Sequence, residues 1–400
     1  MALTLSEHEG ARVSAFYSHL TALLGPVPTP TQSVVIAHVL PDAPFFLRAV
    51  DSIAPICLLL AKPKSLASEA GTRVAESLSF PRQALSRKWA EDVESVLSTL
   101  ADALKPDLPF LLCDIGAYFA PSILAIAERY KDQFLGVLEG TENGASAYER
   151  HFRTLRVDPP IPIVSVARSS LKLPEDFLVG AGIIFSAEAI LRQHGQVLQT
   201  RTATVIGFGR VGRAVAEALR TRGVPTVVFD TDPIARAEAA VRGYPVYGSI
   251  EEAVDFGTLV VSATGSHALD RTALDSVRRG AVIATVTSRD SEFDEEYLLD
   301  AYDSVGAEAD GSGLSLYREV GGDREFWLMN DGNAPNFLHG AVLGPALHLI
   351  SGEKLAAVHE LANSQEQLAG ATYQTPLIEI REDLRRNVAR TWNTHFIEIR

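Results

Sequence analysis

The stretch TATVIGFGRVGRAVAEALRTRGVPTVVFD, residues 202–230, constrains the fold more tightly than any other part of this 400-residue chain. It reads as an apolar strand, a glycine-rich turn, an amphipathic helix and a second apolar strand. Gly207, Gly209 and Gly212 stand in the spacing G-x-G-x-x-G. The first glycine of such a turn permits the reversal, the second lets a diphosphate approach the backbone, and the third lets the helix pack on the sheet. The helix then opens at Arg210 and Val211 with free N–H groups and a dipole that favours an anion. The second strand ends in Asp230, 18 residues after Gly212. A carboxylate there accepts hydrogen bonds from ribose hydroxyls and repels a 2′-phosphate, so the motif points to NAD over NADP. A later strand, TLVVSATG, ends in Thr264-Gly265, placed as a wall beside the same cofactor.

Short apolar runs alternate with longer amphipathic segments on the N-terminal side too. The runs are SVVIAHVL (33–40), APICLLLA (54–61), PFLLCDIG (109–116), FLGVLE (134–139) and IPIVSVA (161–167). Continuous apolar strands separated by helices indicate a parallel sheet covered on both faces. A helical pattern over 174–199 separates this set from a second one, TATVIGFG, PTVVFD, YPVY, TLVVSATG and AVIATVTS. The segment 306–340 reads as loops with one strand, REFWLMN, and 340–363 as a last helical region. The expected fold class is α/β in two lobes, the C-terminal one a Rossmann-type domain with a doubly wound parallel sheet.

Composition narrows the partners. The net charge of −14 repels a phosphate backbone, which argues against nucleic acid. Arg381, Arg385, Arg386 and Arg390 alternate with Glu382 and Asp383, as on a solvated, salt-bridged helix face. No apolar run approaches the ~20 residues that span a bilayer. Cys57 and Cys113 lie in apolar runs and read as buried thiols rather than a disulfide or metal site; with no signal peptide they point to the cytoplasm. The histidines show no metal-ligand spacing.

Several pieces, in one order, resemble the S-adenosylhomocysteine hydrolase family. GFGRVGRAVAEALR resembles its GYGDVGKG-type loop, and FDTDPIARAEAAVRGYPV its second strand and helix. VSATG resembles its TTTG strand end, GVLEGTENGASAYE its GxxEETTTGVxxLY element, and DGNAPNF the segment whose asparagine holds the nicotinamide amide, here Asn336. The resemblance implies a substrate domain over 1–182 completed by 340–370, an NAD-binding domain over 183–339, and a tail over 371–400. It also implies a small nucleoside-like substrate, a homo-oligomer, and oxidation of a ribose hydroxyl by NAD, followed by elimination and return of the hydride.

The family's proton-transfer set is largely replaced. Its loop lysine falls on Arg168, which cannot lose a proton, with Lys172 nearby. The Asp-Asn pair that follows falls near Glu175-Asp176. Its double acid becomes Glu139-Gly140, its DDGGD becomes CDIGA and keeps Asp114, and its later histidine falls on Ser288. The catalytic candidates are therefore Asp114, Glu139, Lys172 and His339; Arg168 and Lys172 also offer charge for an anionic substrate group. The cofactor candidates are Gly207, Gly209, Arg210, Val211, Gly212, Asp230, Thr264, Gly265, Ser288 and Asn336, with Thr141 and Asn143 behind Glu139. The expected function is an NAD-dependent, adenosylhomocysteinase-like enzyme with a changed substrate. The alternatives are a non-catalytic NAD-binding regulatory relative and a 2-hydroxyacid-type dehydrogenase; for the latter, Arg271 or Arg289 with Glu292 lacks a suitably placed histidine.

Overall fold

The computed structural model describes residues 5–66, 69–305, 313–363, 368 and 370–397. The chain forms two compact units, one built from Met1–Lys172 with Gly344–Arg400 and the other from Leu173–Leu343.

In the first unit the apolar runs become β1 (Gln32–Ala37), β2 (Ile56–Ala61), β3 (Arg82–Ala84), β4 (Phe110–Asp114), β5 (Phe134–Glu139) and β6 (Ile163–Ser165). They form one parallel sheet in the order β3-β2-β1-β4-β5-β6, so the winding reverses between β1 and β4. Alternate residues of each strand feed opposite cores. Val35, Leu59, Leu111 and Leu138 face the Glu7–Leu24 and Pro345–Asn363 helices. Val34, Leu58, Leu112 and Val137 pack with Phe119, Ile126 and Tyr148. Both faces being covered explains why these strands read as unbroken apolar runs.

Cys113 is buried and Cys57 half-buried; both are free thiols, and burial pushes them up to about 12 and about 11.

The expected separate tail is instead part of this unit. The Glu382–Phe396 helix buries Leu384 and Val388 in the first core. Its arginines include a solvated, salt-bridged part, Arg386 pairing with Glu382 at 3.0 Å, but two of them reach inward. Arg385 Nε donates to fully buried Glu353 at 2.9 Å and Arg381 Nε to Glu360 at 3.0 Å. Glu353 and Glu360 lie seven residues apart on one face of the Pro345–Asn363 helix. Burying such carboxylates is costly unless a cation meets them, so the pairs fix how the two helices dock.

The second unit opens with the Leu173–Gln193 helix, ten residues before the boundary the sequence suggests. Its strands are β7 (Ala203–Ile206), β8 (Thr226–Phe229), β9 (Leu259–Ser262), β10 (Val282–Thr285), β11 (Tyr302–Val305), β12 (Leu314–Glu319) and β13 (Glu325–Met329). The order is β11-β12-β13-β10-β9-β7-β8, parallel from β13 to β8 with β12 antiparallel to both its neighbours. Two cores cover it, one with Val205, Val228, Val261 and Ala284, the other with Ile206, Val260, Ile283 and Leu328. YPVY does not form a strand; Val246 makes only an isolated bridge to Val228. The loop-rich segment holds β12 as well as β13, and its residues 306–312 lie outside the described residues.

Candidate functional site

Within the second unit, β7 ends at Ile206 and the chain turns at Gly207, with φ +89°. A Cβ there would stand 2.8 Å from the Ala263 carbonyl oxygen. At Gly212 a Cβ would stand 2.0 Å from the Gly207 carbonyl oxygen, so only glycine lets the Arg210–Thr221 helix start this close to the strand end. Gly209, the residue before that helix, differs: the place of its missing Cβ is open space. The first two contacts make glycine obligatory for packing; the third leaves bare backbone at a helix start, where N–H groups of Arg210 and Val211 lack helical partners.

Arg210 pairs with Asp176 of the Leu173–Gln193 helix at 3.7 Å. That helix crosses close by because Gly180 has no side chain. A Cβ on Gly180 would meet Ala214 Cβ at 2.5 Å.

Asp230 follows β8. Its carboxylate accepts from the amides of Phe208 at 2.6 Å and Asp232 at 2.8 Å. It therefore ties the tip of the glycine turn to the neighbouring strand. A carboxylate has about four acceptor positions, and two are used, leaving capacity for ribose hydroxyls.

Thr264 and Gly265 follow β9 and touch the turn directly; Thr264 Cγ2 is 2.9 Å from the Cβ position of Gly207. The residue that fixes them is Glu292, fully buried. It accepts from Ser262 Oγ (2.7 Å), the Thr264 amide and hydroxyl (3.2 and 2.9 Å), the Gly265 amide (3.0 Å) and Thr287 Oγ1 (2.7 Å). The sequence pointed to Glu292 only as part of a different enzyme type. Its signal there is faint, since the acid lies in a stretch, TSRDSEFD, with other acids. Ser288 directs its Oγ to Ser291 Oγ at 2.9 Å. His267 turns its Nε2 to the Asp290 carbonyl at 2.9 Å.

The segment with Asn336 is tied to the end of β10 by the Ala334 amide, which donates to the Thr287 carbonyl at 2.9 Å. Asn336 is 7% exposed, and its Oδ1 has no hydrogen-bond partner among the described residues. Leaving a buried amide oxygen unmatched costs roughly 1–3 kcal/mol, so this acceptor is open to an N–H donor. His339 Nδ1 lies 2.9 Å from Ser186 Oγ, with its ring edge-on to Phe185.

The other candidates belong to the first unit. Asp114 is buried and accepts from the amides of Ile115, Tyr118 and Phe119 and from the Tyr148 hydroxyl at 2.7–3.1 Å. Glu139, also fully buried, accepts from the amides of Gly116, Ala117 and Thr141 and from Thr141 Oγ1. Burial pushes both carboxyls upward, and the neighbouring Asp114 raises Glu139 further, to about 7. Their oxygens face the loop of residues 115–119 and hold it in place. Thr141 caps the Glu142–Leu155 helix through the Gly144 amide, and Asn143 is exposed on that helix's first turn. Lys172 is 9% exposed at the end of a short turn. Arg168 is a correction: Glu142 (2.7 Å) and Glu149 (2.8 Å) of its own unit fill its guanidinium fork and raise its pKa, so it is not held ready for a substrate anion.

The donor set of the second unit fits a dinucleotide: a bare-backbone turn, a carboxylate with spare acceptor positions and a buried amide oxygen without a partner. Comparisons with known proteins agree. Residues 185–310 match the family model for the S-adenosyl-L-homocysteine hydrolase NAD binding domain. An adenosylhomocysteinase of Acinetobacter baylyi is 29% identical over 181 residues, 42% of this chain and 38% of that protein. An S-inosyl-L-homocysteine hydrolase of Methanopyrus kandleri is 22% identical over 292 residues, 72% of this chain and 67% of that protein. An adenosylhomocysteinase of Aeropyrum pernix is 28% identical over 255 residues, 63% and 56% of the two chains. The alignments thus span 38% to 67% of the relatives' lengths. With NAD as the cofactor of its second unit, the chain resembles the S-adenosyl-L-homocysteine hydrolase family, most directly through the NAD binding domain matched over residues 185–310.

Proposed function

We propose that this protein is an NAD-dependent, adenosylhomocysteinase-like enzyme that acts on a nucleoside or ribosyl-like small molecule by oxidising a sugar hydroxyl, transiently or as the net reaction. The single observation that carries the reading is the glycine turn with Asp230 bonded to its tip and bare backbone at Gly209. The relatives' names, adenosylhomocysteinase and S-inosyl-L-homocysteine hydrolase, support a purine riboside as the substrate class.

When bound, NAD⁺ supplies a hydride acceptor for a carbinol carbon. The remaining roles belong to this chain. The amides opening the Arg210–Thr221 helix bind the diphosphate, and Asp230 orients the adenosine ribose while disfavouring a 2′-phosphate. Asn336 Oδ1 accepts an N–H, as a carboxamide offers. Thr264 and Gly265, held by Glu292, form a fixed wall. His339, with Ser186 on its Nδ1, can hold or pass a proton through its two ring nitrogens. Lys172 and the loop ordered by Asp114 and Glu139 belong to the unit assigned to the substrate.

The purified protein is expected to release NAD on denaturation, identified by mass. Asp230→Ala is expected to leave the site empty while melting stays cooperative; unchanged NAD content in that variant would remove the assignment. A nucleoside screen read by NADH absorbance then tests the chemistry. A second reading, a non-catalytic NAD-binding relative, is favoured by Asp114 and Glu139 facing their own loop. Reduction of bound NAD by one compound eliminates it.

A further inference from the structure

The winding of the first sheet reverses between β1 and β4, and open α/β sheets take ligands at the carboxyl ends of their strands where the order reverses. Lys62 directly follows β2, Arg87 opens the helix after β3, and Ile115–Tyr118 follow β4. Gly116 (φ +94°) and Ala117 (φ +54°) both have left-handed backbone. The loop thereby turns its amides inward onto Glu139 and leaves the carbonyls of Ile115 and Gly116 to be met by cations. Lys62 Nζ donates to the Ile115 oxygen at 3.1 Å and Arg87 Nη1 to the Gly116 oxygen at 2.9 Å. Both cations also lie over the Tyr118 ring, 4.7 and 3.9 Å from its centroid.

The two charges converge. A Cβ on Gly116 would stand 3.4 Å from Arg87 Nη2 and 3.7 Å from Lys62 Nζ. Arg87 is exposed, and its Nη2 and Nε donate to no acceptor among the described residues. Like charges aimed at one bare α-carbon repel each other, and an anion placed between them reverses the sign of that interaction. The guanidinium fork is the side-chain geometry that best matches a carboxylate or phosphate, and the ammonium adds a point charge. All this stands in a chain of net charge −14, where such convergence is not a consequence of general basicity.

We propose that Lys62, Arg87 and Tyr118 form an oxyanion site at the switch point of the first unit, taking a phosphate or carboxylate group of the small-molecule substrate. The substrate role rests on the functional reading above; the anion site itself does not. Isothermal titration of the full chain, saturated with NAD so that the diphosphate cradle is filled, would use inorganic phosphate and, separately, acetate. Chloride holds ionic strength constant. Saturable binding is expected, weakened on the order of tenfold or more in Arg87→Gln and in Lys62→Gln and partly kept in Arg87→Lys. Far-UV spectra and melting confirm that each variant is folded, and the Lys62 variant decides the matter if the Arg87 variant is not. Preference for phosphate assigns a phosphorylated substrate, preference for acetate a carboxylated one. Absence of saturation by either anion, or equal affinity in both Gln variants, overturns the proposal. A protein that takes no NAD but still loses anion binding in Arg87→Gln would sink the redox reading and keep the site.

Discussion

Glu139 and Glu292 use one chemistry in two places. Each is a fully buried carboxylate at a sheet's carboxyl edge, and each is matched by main-chain amides and hydroxyls instead of by a cation. Several donors offset the desolvation of a buried charge and hold a loop in one conformation. At Glu292 the consequence is direct. Glu292→Gln keeps the shape but sets an NH₂ against amide and hydroxyl donors. It is expected to cost about 1–3 kcal/mol of stability and to weaken NAD binding, because Thr264 and Gly265 lose their anchor. Urea unfolding together with NAD titration checks both; unchanged affinity would show that the wall is held by its backbone alone. These roles were hidden in the sequence for a physical reason. The donors to Glu139 lie partly at 116–117 and most of those to Glu292 at 262–265, so little in the local sequence distinguishes either glutamate from a substrate-facing acid. The glycine turn was legible because its constraint is local: within six positions Gly207 and Gly212 must lack a Cβ, and Gly209 leaves bare backbone between them.

Elements followed their hydrophobic pattern where one period dominated. The strands β2, β4, β5, β7, β8, β9 and β10 lie within the apolar runs that suggested them, and β1 starts one residue before its run, since both faces of each are covered. The pattern failed at the edge. β11 buries Tyr302 alone, with Asp303, Ser304 and Val305 exposed, and it looks like a loop because only pairing with β12 makes it a strand. The helix crossing at Gly180 carries its own prediction. Gly180→Val puts branched atoms where Ala214 Cβ and the Val215 amide already stand at 2.5 and 2.8 Å from the nearest new carbon. Separation of the Leu173–Gln193 and Arg210–Thr221 helices is expected, at a cost of roughly 1–3 kcal/mol. The start of the Arg210–Thr221 helix would shift with it. Thermal melting reads the loss, and a crystal structure of the variant would show the displaced helix; a melting temperature equal to the parent's would contradict the crossing.

At the scale of the molecule, the first unit is closed by the end of the chain. Arg12 grips the His395 carbonyl at 3.0–3.1 Å, and His348 hydrogen-bonds the Tyr17 hydroxyl at 3.2 Å and stacks on Phe396. Burial depresses His348 from 6.5 to about 4. The unfolded chain therefore takes up a proton near pH 6.5 that the folded chain refuses until about pH 4. Stability is full above the unfolded value and is lost as pH falls through that window, on the order of 3 kcal/mol by pH 4. Urea unfolding at pH 7, 5 and 4 is expected to show this loss in the parent and a flatter profile in His348→Asn; parallel profiles would place the acid sensitivity elsewhere. The Arg-rich stretch concealed this architecture, because a helix with alternating charges looks the same whether its arginines meet water or the buried Glu353 and Glu360.

That closure has a consequence for how the protein is made. Leu173–Leu343 is one uninterrupted stretch and leaves the ribosome entire before Val388 has been translated, so it is free to reach its native state during synthesis. Met1–Lys172 must meanwhile wait, with the apolar face meant for Val388 and Leu384 bare, until the Glu382–Phe396 helix has been made. Ribosome-stalled chains ending near residue 375 should accordingly resist protease across the middle of the sequence while being cut freely near its start.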